Sequence, residues 1–188
     1  ADAYTNLQDA LAAAGYGDEI WVAEGTYFPG TSREDSFELV YGVSLYGGFA
    51  GSETSRDERD WETHVTVLSG DIGVAGDNSD NSYHVVIGAD EAIIDGFTIT
   101  GGRANGDGWK TSRGAGMFNK DVSPTIRNVV FADNCADYGL GGGVFNSYAA
   151  PSIVNCTFVQ NYSEHGAGIH NSYSSPEIVG CSFVHNYA

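Results

Sequence analysis

The acidic segment 70–81 carries the residue types best suited to binding a metal ion. Asp71, Asp77 and Asp80 lie within ten positions of one another, and two asparagines are interleaved with them. Carboxylate and amide oxygens are the hard ligands that Ca²⁺ prefers. The spacing differs from that of an EF-hand and the closing Glu is absent, so Asx turns in a loop are the alternative interpretation. We predict a calcium site at these three aspartates and no other cofactor.

Basic residues form a second group that could take part in chemistry. All five bases of residues 96–188 fall within one short stretch: Arg103, Lys110, Arg113, Lys120 and Arg127. A polysaccharide lyase needs an Arg or Lys base beside carboxylates that hold calcium. A glycoside hydrolase needs two carboxylates about 5–9.5 Å apart, and the regular part of the chain has no recurring acidic column. We therefore expect a solvated loop and no catalytic residue, with a carbohydrate-active enzyme or glycan-binding module as the alternative.

The charge of the chain is strongly negative and unevenly distributed. Its formal net charge is −17; residues 1–95 contain 19 acids and three bases, a net of −16, and residues 96–188 contain six acids and five bases, a net of −1. An acidic surface repels nucleic acids and anionic membranes, so we expect no nucleic-acid partner. No apolar run approaches the roughly 18 residues that span a bilayer. Three cysteines without a C-x-x-C pair indicate neither a disulfide framework nor a zinc site.

An internal repeat determines the fold prediction. The segments GAGMFN, GGGVFN and GAGIHN end at positions 119, 146 and 171, with spacings of 27 and 25 residues. Other residues recur at the same two intervals and define columns of identical side chains. These columns are Asn119, Asn146 and Asn171; Asn134, Asn161 and Asn186; Asn128 and Asn155, with Gly180; and Phe131, Phe158 and Phe183.

A period of this length indicates units that bury their apolar faces only by stacking. Within each unit apolar residues alternate with polar ones, which is typical of strands, and Gly, Asn and Pro mark the breaks between strands. Three short strands per unit make one coil, and successive coils lie about 4.8 Å apart. The sequence therefore predicts an all-β parallel β-helix of about seven coils, in which Asn amides and Phe rings stack as ladders.

The first residues predict a different element. Thr5 and Gln8 have the spacing of a capping box, and Leu7, Ala10 and Leu11 lie on one helical face. We predict a short helix within residues 1–15 that covers the open apolar end of the β-helix.

The whole chain, 1–188, is predicted to be one domain. Residues 16–113 are expected to form irregular coils, and residues 114–188 the regular 25–27-residue repeats. Three inserts are expected to project from the stack as loops: 50–64, 69–82 and 101–113.

The C-terminal edge of the chain is predicted to bind a partner. Segment 182–188 ends shortly after a repeat motif and contains no capping helix. An uncovered strand edge templates association with another strand. We therefore expect other copies of the chain or flanking repeats to bind this C-terminal edge.

The repeat resembles that of a known group of proteins. The pairing of F-x-x-N with G-[AG]-G-[IVM] resembles the repeats of the chlamydial polymorphic outer-membrane proteins, and more widely the bacterial surface proteins of the pectin-lyase-like fold, a right-handed parallel β-helix. Front-half segments such as GDEIWV and GVSLYGGF resemble the first coils of such proteins. The resemblance implies a secreted, extracellular or cell-surface location and a non-catalytic structural or adhesive module. We expect this module to assemble end to end into a filament or to form part of a longer surface protein. A surface glycan or a host or matrix protein is expected as a further partner.

Overall fold

The computed structural model describes residues 3–188, which contain 19 β-strands numbered in chain order. Three sheets run the length of the molecule. The first contains β1 (Glu19–Ala23), β4 (Ser44–Phe49), β7 (Ile93–Asp95), β10 (Thr125–Arg127), β14 (Ser152–Val154) and β18 (Glu177–Val179). The second contains β2 (Gly25–Tyr27), β5 (Thr66–Ser69), β8 (Thr98–Thr100), β11 (Val130–Ala132), β15 (Thr157–Val159) and β19 (Ser182–Val184). The third contains β3 (Phe37–Glu38), β6 (Val86–Ile87), β9 (Met117–Lys120), β13 (Val144–Ser147) and β17 (Ile169–Ser172).

All strand pairs are parallel, and each strand pairs with its counterpart one coil away. A fourth, two-stranded sheet joins β12 (Cys135–Leu140) to β16 (Tyr162–His165). The predicted right-handed parallel β-helix is confirmed. The first and second sheets each contain six strands, which is close to the predicted number of about seven coils. The second coil is longer than the others because it contains two of the inserts.

The interior of the coils is apolar and stacked. Phe131 and Phe158 lie directly opposite in adjacent strands, with ring centroids 5.0 Å apart and planes 4° from parallel. Phe158 and Phe183 repeat this arrangement at 4.8 Å and 7°. The Phe column is therefore confirmed as a continuous stack at the coil spacing. The three cysteines are free thiols.

An Asn ladder runs along the third sheet. The Nδ2 of Asn119 donates to the Oδ1 of Asn146 at 2.9 Å, and Asn146 donates to Asn171 at 2.8 Å. Asn119 and Asn146 are fully buried. These bonds satisfy buried amide groups in a place where water cannot, and the Oδ1 of Asn119, at the start of the ladder, has no partner.

A second Asn ladder follows the second sheet. Asn134 donates from Nδ2 to the Oδ1 of Asn161 at 3.1 Å, and Asn161 donates to Asn186 at 2.9 Å. Asn134 and Asn161 also donate to the carbonyl oxygens of Ile99 and Phe131 in the previous coil. The side chains therefore tie each corner to the backbone of its neighbours.

The third predicted column marks a sharp corner. Asn128 and Asn155 have φ of 50° and 53°, and Gly96 and Gly180 at the equivalent corners have 82° and 65°. Left-handed backbone is costly for most residues but tolerable for Asn and Gly. The choice of these two residue types at one column follows from that backbone conformation.

The N-terminal helix α1 is shorter than predicted and is capped differently. It spans Leu7–Ala13, and its N-cap is Asn6, whose side chain accepts from the backbone N–H of Gln8 at 2.9 Å. The capping-box prediction with Thr5 is wrong, because the side-chain amide of Gln8 donates to two backbone carbonyls elsewhere in the first coil. Residues 1 and 2 of the predicted helix lie outside the described residues. Within 3–188 no helix is long and apolar enough to cross a membrane.

Two of the three predicted loops pack onto the sheets instead of projecting. In insert 50–64, Arg59 forms a buried ion pair with Asp95 at 2.8 Å and donates to the backbone oxygen of Gly47. In insert 101–113, Trp109 packs edge-on against Phe118 of β9. Insert 50–64 therefore packs on the first sheet, which it leaves, whereas insert 101–113 packs on the third sheet, which it enters.

The Asn ladder makes a stability prediction. Asn161→Ala removes the acceptor of the backbone N–H and Nδ2 of Asn134 and the donor to Phe131. Each buried group left unsatisfied costs about 1–3 kcal/mol. We expect urea denaturation to show a loss of about 2–4 kcal/mol in the free energy of unfolding, with an unchanged m-value.

Asn171→Ala is the matched control, because Asn171 is exposed and accepts one ladder bond. Its expected loss is about 1 kcal/mol. Equal losses in the two variants contradict a structural role for burial of the ladder.

Candidate functional site

The predicted calcium segment forms a loop that is held by its own aspartates. Asp71 accepts from the backbone N–H of Gly76 at 3.0 Å, and Asp80 accepts from that of Val74 at 2.8 Å. The backbone N–H two residues beyond Asp77 donates to its carboxylate, and this bond lowers the pKa of Asp77. The aspartates thus fix the turn geometry, as the Asx-turn interpretation expects.

The loop also contains oxygens that have no donor. Between residues 3 and 188 no three His, Cys, Asp or Glu side chains converge as a metal-binding group, so Asp71, Asp77 and Asp80 do not form one by themselves. One carboxylate oxygen of Asp80 and the amide oxygen of Asn81 are nevertheless buried without a hydrogen-bond partner. Buried acceptors of this kind fit a cation. The calcium site stays a prediction.

The five bases are divided by the fold. Arg103 forms an ion pair with Asp137 at 2.8 Å, and Arg127 lies on β10 in the first sheet. The other three belong to the C-terminal part of insert 101–113 and to β9, and they are Lys110, Arg113 and Lys120. Arg113 and Lys120 lie over a single indole ring, and Lys110 directly follows the residue that carries this ring.

That indole belongs to Trp109, which covers the outer surface of the third sheet. Its ring meets those of Phe118 and Phe145 edge-on, with centroids 5.9 Å away in each case. The guanidinium of Arg113 lies 5.0 Å from the indole centroid, and the ammonium of Lys120 lies 6.0 Å from it. We refer to Trp109, Lys110, Arg113 and Lys120 as the aromatic–cationic surface.

The surface rests on a column of stacked rings that is separate from the core. Phe118, Phe145 and His170 occupy one register position in three adjacent strands, and successive ring centroids are 5.7 Å apart. Their neighbours along the strands point into the interior, since side chains alternate across a strand. His170 therefore belongs to this outer column of rings.

Two exposed tyrosines lie at the corner that follows the third sheet. Tyr148 and Tyr173 directly follow β13 and β17 and have φ of 50° and 51°. Tyr148 stacks on Tyr173 of the next coil at 5.0 Å and 6°, and both rings are mostly in solvent. The two tyrosines thus form a flat, exposed pair of rings at this corner.

His84 lies beneath the aromatic–cationic surface and is almost fully buried. Its ring packs against Phe118 at 5.1 Å, its Nδ1 is 3.0 Å from the carbonyl oxygen of Gly114, and its Nε2 has no partner. Burial, together with a smaller effect of the positive charge of Lys110, lowers the pKa of His84 from 6.5 to about 4. The imidazole is therefore neutral at pH 7, with Nδ1–H as the donor to Gly114.

Sequence reasoning missed Trp109 and His84 as parts of a site. Trp109 lies in a Gly- and Asn-rich insert next to Lys110, and this pairing of an aromatic ring with a base was the available signal. Nothing in the sequence around His84 indicates that it meets Phe118, because the two residues lie on successive coils.

The calcium prediction is tested by chelation. An ion that binds only the folded loop stabilises the folded chain. We therefore expect EDTA to lower the melting temperature and added CaCl₂ to restore the original value. Asp80→Asn is expected to abolish this response. An identical melting temperature with and without EDTA contradicts the calcium prediction and leaves the aspartates with a structural role only.

Titration of His84 makes a second prediction. The unfolded chain binds the proton near pH 6.5 and the folded chain near pH 4, so stability is complete above pH 6.5 and is lost as the pH falls towards 4. The expected loss is about 3 kcal/mol. His84→Asn keeps a donor to Gly114 and does not titrate, so it should flatten this part of the stability–pH curve.

His185→Asn is the control, because His185 is exposed. It is expected to leave the curve measured by urea denaturation unchanged. If the free energy of unfolding of His84→Asn changes with pH as steeply as that of the parent chain, His84 is not the group that causes the pH dependence.

The comparisons with known proteins support a family assignment. The family model described as "Protein of unknown function (DUF1565)" matches residues 2–185. No curated protein and no solved structure gives a significant match. Because the match covers nearly all of its length, the chain belongs to the family of proteins of unknown function DUF1565.

Proposed function

We propose that this chain is a non-catalytic structural or adhesive β-helix module of the cell surface or extracellular space, whose last coil stacks on further coils. The observation that carries the proposal is the exposure of that coil. Ile178 and Phe183 are 41% and 52% exposed, whereas Ile153 and Phe158, one coil earlier in the same columns, are fully buried. One more coil buries the last pair to the same extent.

The backbone of the last coil supports the same conclusion. Strands β17, β18 and β19 each lie at the end of their sheet. A free parallel edge presents unpaired N–H and C=O groups in a spacing that another coil matches. The outward-facing Val179 and Val184 are also largely exposed, so the edge is apolar as well as unpaired.

Either of two occupants satisfies this edge. Flanking repeats of a longer surface protein continue the ladders directly. Alternatively, a second copy places its β1, at the other end of the first sheet, against β18. This head-to-tail contact is not two-fold symmetric, so it propagates as a filament.

Two further observations support a surface module over an enzyme. The repeats resemble those of the chlamydial polymorphic outer-membrane proteins, which favours the extracellular location and the adhesive role. Two of the five candidate lyase bases are engaged in structural contacts: Arg103 pairs with Asp137, and Arg113 donates to the carbonyl oxygen of Trp109.

Sedimentation velocity tests the proposal together with the mass of the native polypeptide. If the native mass is that of these 188 residues, the chain should self-associate with rising concentration, and Phe183→Lys should abolish association because it places a charge in the apolar edge. If the native mass is larger, the added segment should protect the amides of β18 and β19 from hydrogen exchange.

Val74→Lys is the control, because it makes the same change at an exposed apolar residue in an insert loop. It should leave association unchanged. A native polypeptide of 188 residues that stays monomeric at every concentration refutes the proposal, and so does a longer one in which β18 and β19 exchange freely.

A further inference from the structure

Tyr148 and Tyr173 occupy a backbone position that is unfavourable for residues of their size. Both have left-handed backbone, and each lies at the corner directly after a strand of the third sheet. Every other non-glycine residue with positive φ in the described part of the chain carries a carboxylate, an amide or an imidazole. Left-handed backbone is costly for a bulky side chain. The two phenol rings are therefore kept at this corner against the local conformational preference.

The core of the β-helix does not depend on these rings. Tyr148 and Tyr173 are 61% and 81% exposed. The corner also forms without an aromatic residue, because Asp121 occupies it one coil earlier with a φ of 58°. The rings are therefore open to a reagent that arrives from solvent.

The backbone holds the two phenols next to each other. Strands β13 and β17 pair in register as far as the residues that precede the tyrosines, and the N–H of Tyr148 donates to the carbonyl oxygen of Ser172 at 3.1 Å. The ring centroids are 5.0 Å apart and the planes are 6° from parallel. The rings stay neighbours when either side chain rotates, so each phenol is present at the other at a high effective concentration.

We propose that Tyr148 and Tyr173 are a site of oxidative coupling, at which a dityrosine bond joins two successive coils. The oxidant is hydrogen peroxide, used by a haem peroxidase. Each phenol loses one electron and one proton and becomes a phenoxyl radical, while the peroxide is reduced to water. The two radicals form a carbon–carbon bond between ring positions next to the hydroxyls. The hydrogen on each bonded carbon then moves to the phenol oxygen, which restores both aromatic rings.

The bond ties the free end of the β-helix to the coil before it. Tyr173 connects β17 to β18, and each of these strands is the last in its sheet. Strands with a neighbour on one side only are the first to open. A covalent link between the two corners also closes a loop in the unfolded chain, as a disulfide does, and this stabilises the folded chain.

A second tyrosine pair provides a matched control. Tyr16 and Tyr41 are also largely exposed, and their ring centroids are 5.3 Å apart. Their planes are tilted by 40°, and both hydroxyls donate to the carboxylate of Glu91, at 3.2 and 3.1 Å. The shared acceptor holds these rings in the tilted arrangement. We therefore expect coupling between Tyr148 and Tyr173 and not between Tyr16 and Tyr41.

The inference goes beyond the proposed function, because coupling takes place within one chain. It needs no partner and no further coil at the C-terminal edge. A failure of the chain to associate therefore leaves the dityrosine proposal intact, and the absence of dityrosine leaves the proposed stacking intact.

Treatment of the dilute chain with a haem peroxidase and an equimolar amount of hydrogen peroxide tests the proposal. Dityrosine is detected by its fluorescence and located by mass spectrometry of proteolytic peptides. We expect a product that migrates as a monomer in a denaturing gel, in which the peptides of Tyr148 and Tyr173 are joined with the loss of two hydrogen atoms. Its melting temperature should be higher than that of the untreated chain.

Tyr148→Phe and Tyr173→Phe identify the site. Each variant keeps an exposed ring and removes the phenol that forms the radical, so the fold should persist, as checked by the melting temperature before oxidation. We expect each variant to lose both the dityrosine fluorescence and the rise in melting temperature. Tyr16→Phe is the control, and it should keep both. Treatment of all variants with the same peroxide also accounts for oxidation of other side chains.

Three results overturn the proposal. The first is a treated chain without dityrosine, or with dityrosine only between chains, which appears as covalent dimers in the denaturing gel. The second is dityrosine that maps to Tyr16 and Tyr41 or to any other pair. The third is an undiminished fluorescence in both Tyr148→Phe and Tyr173→Phe.

Discussion

In-register parallel stacking is the constraint on which the rest of this structure depends. Each strand pairs with the equivalent strand one coil away, so equivalent side chains lie about 5 Å apart along the whole molecule. At that distance each side chain must pack favourably against an identical side chain in the next coil. Phe rings satisfy this requirement by lying parallel, as Phe131 and Phe158 do, and Asn amides satisfy it because each is both a donor and an acceptor, as between Asn134 and Asn161. A buried charge has no such solution, which explains why the charged residues lie outside the columns.

The inserts are released from this constraint, and the chemistry of the molecule is concentrated in them. Insert 50–64 brings Arg59 to Asp95 in a buried ion pair, and Asn128 donates to the same carboxylate. Insert 101–113 brings Trp109 and two bases over the third sheet. The coils thus supply rigid sheets with stacked rings on their outer faces. The inserts supply the irregular positions where unlike residues meet.

The two surfaces argued above lie in different directions. The apolar edge of the last coil faces along the axis of the β-helix, whereas the aromatic–cationic surface faces sideways. The proposed stacking through the last coil uses only the end of the β-helix and leaves its sides free.

The sequence by itself determined the fold, the columns and the corners, because residues that contact each other in a solenoid recur at a fixed interval along the sequence. Asn119, Asn146 and Asn171 are aligned by counting residues, and the hydrogen bonds follow from the coil spacing. The helix cap was misplaced by one residue, because it lies in an irregular segment outside the repeats. Only the tertiary structure decided that Trp109 folds back onto Phe118 and that His84 is buried beneath them. An insert has no repeat to align, so its path is set by the side chains that it meets.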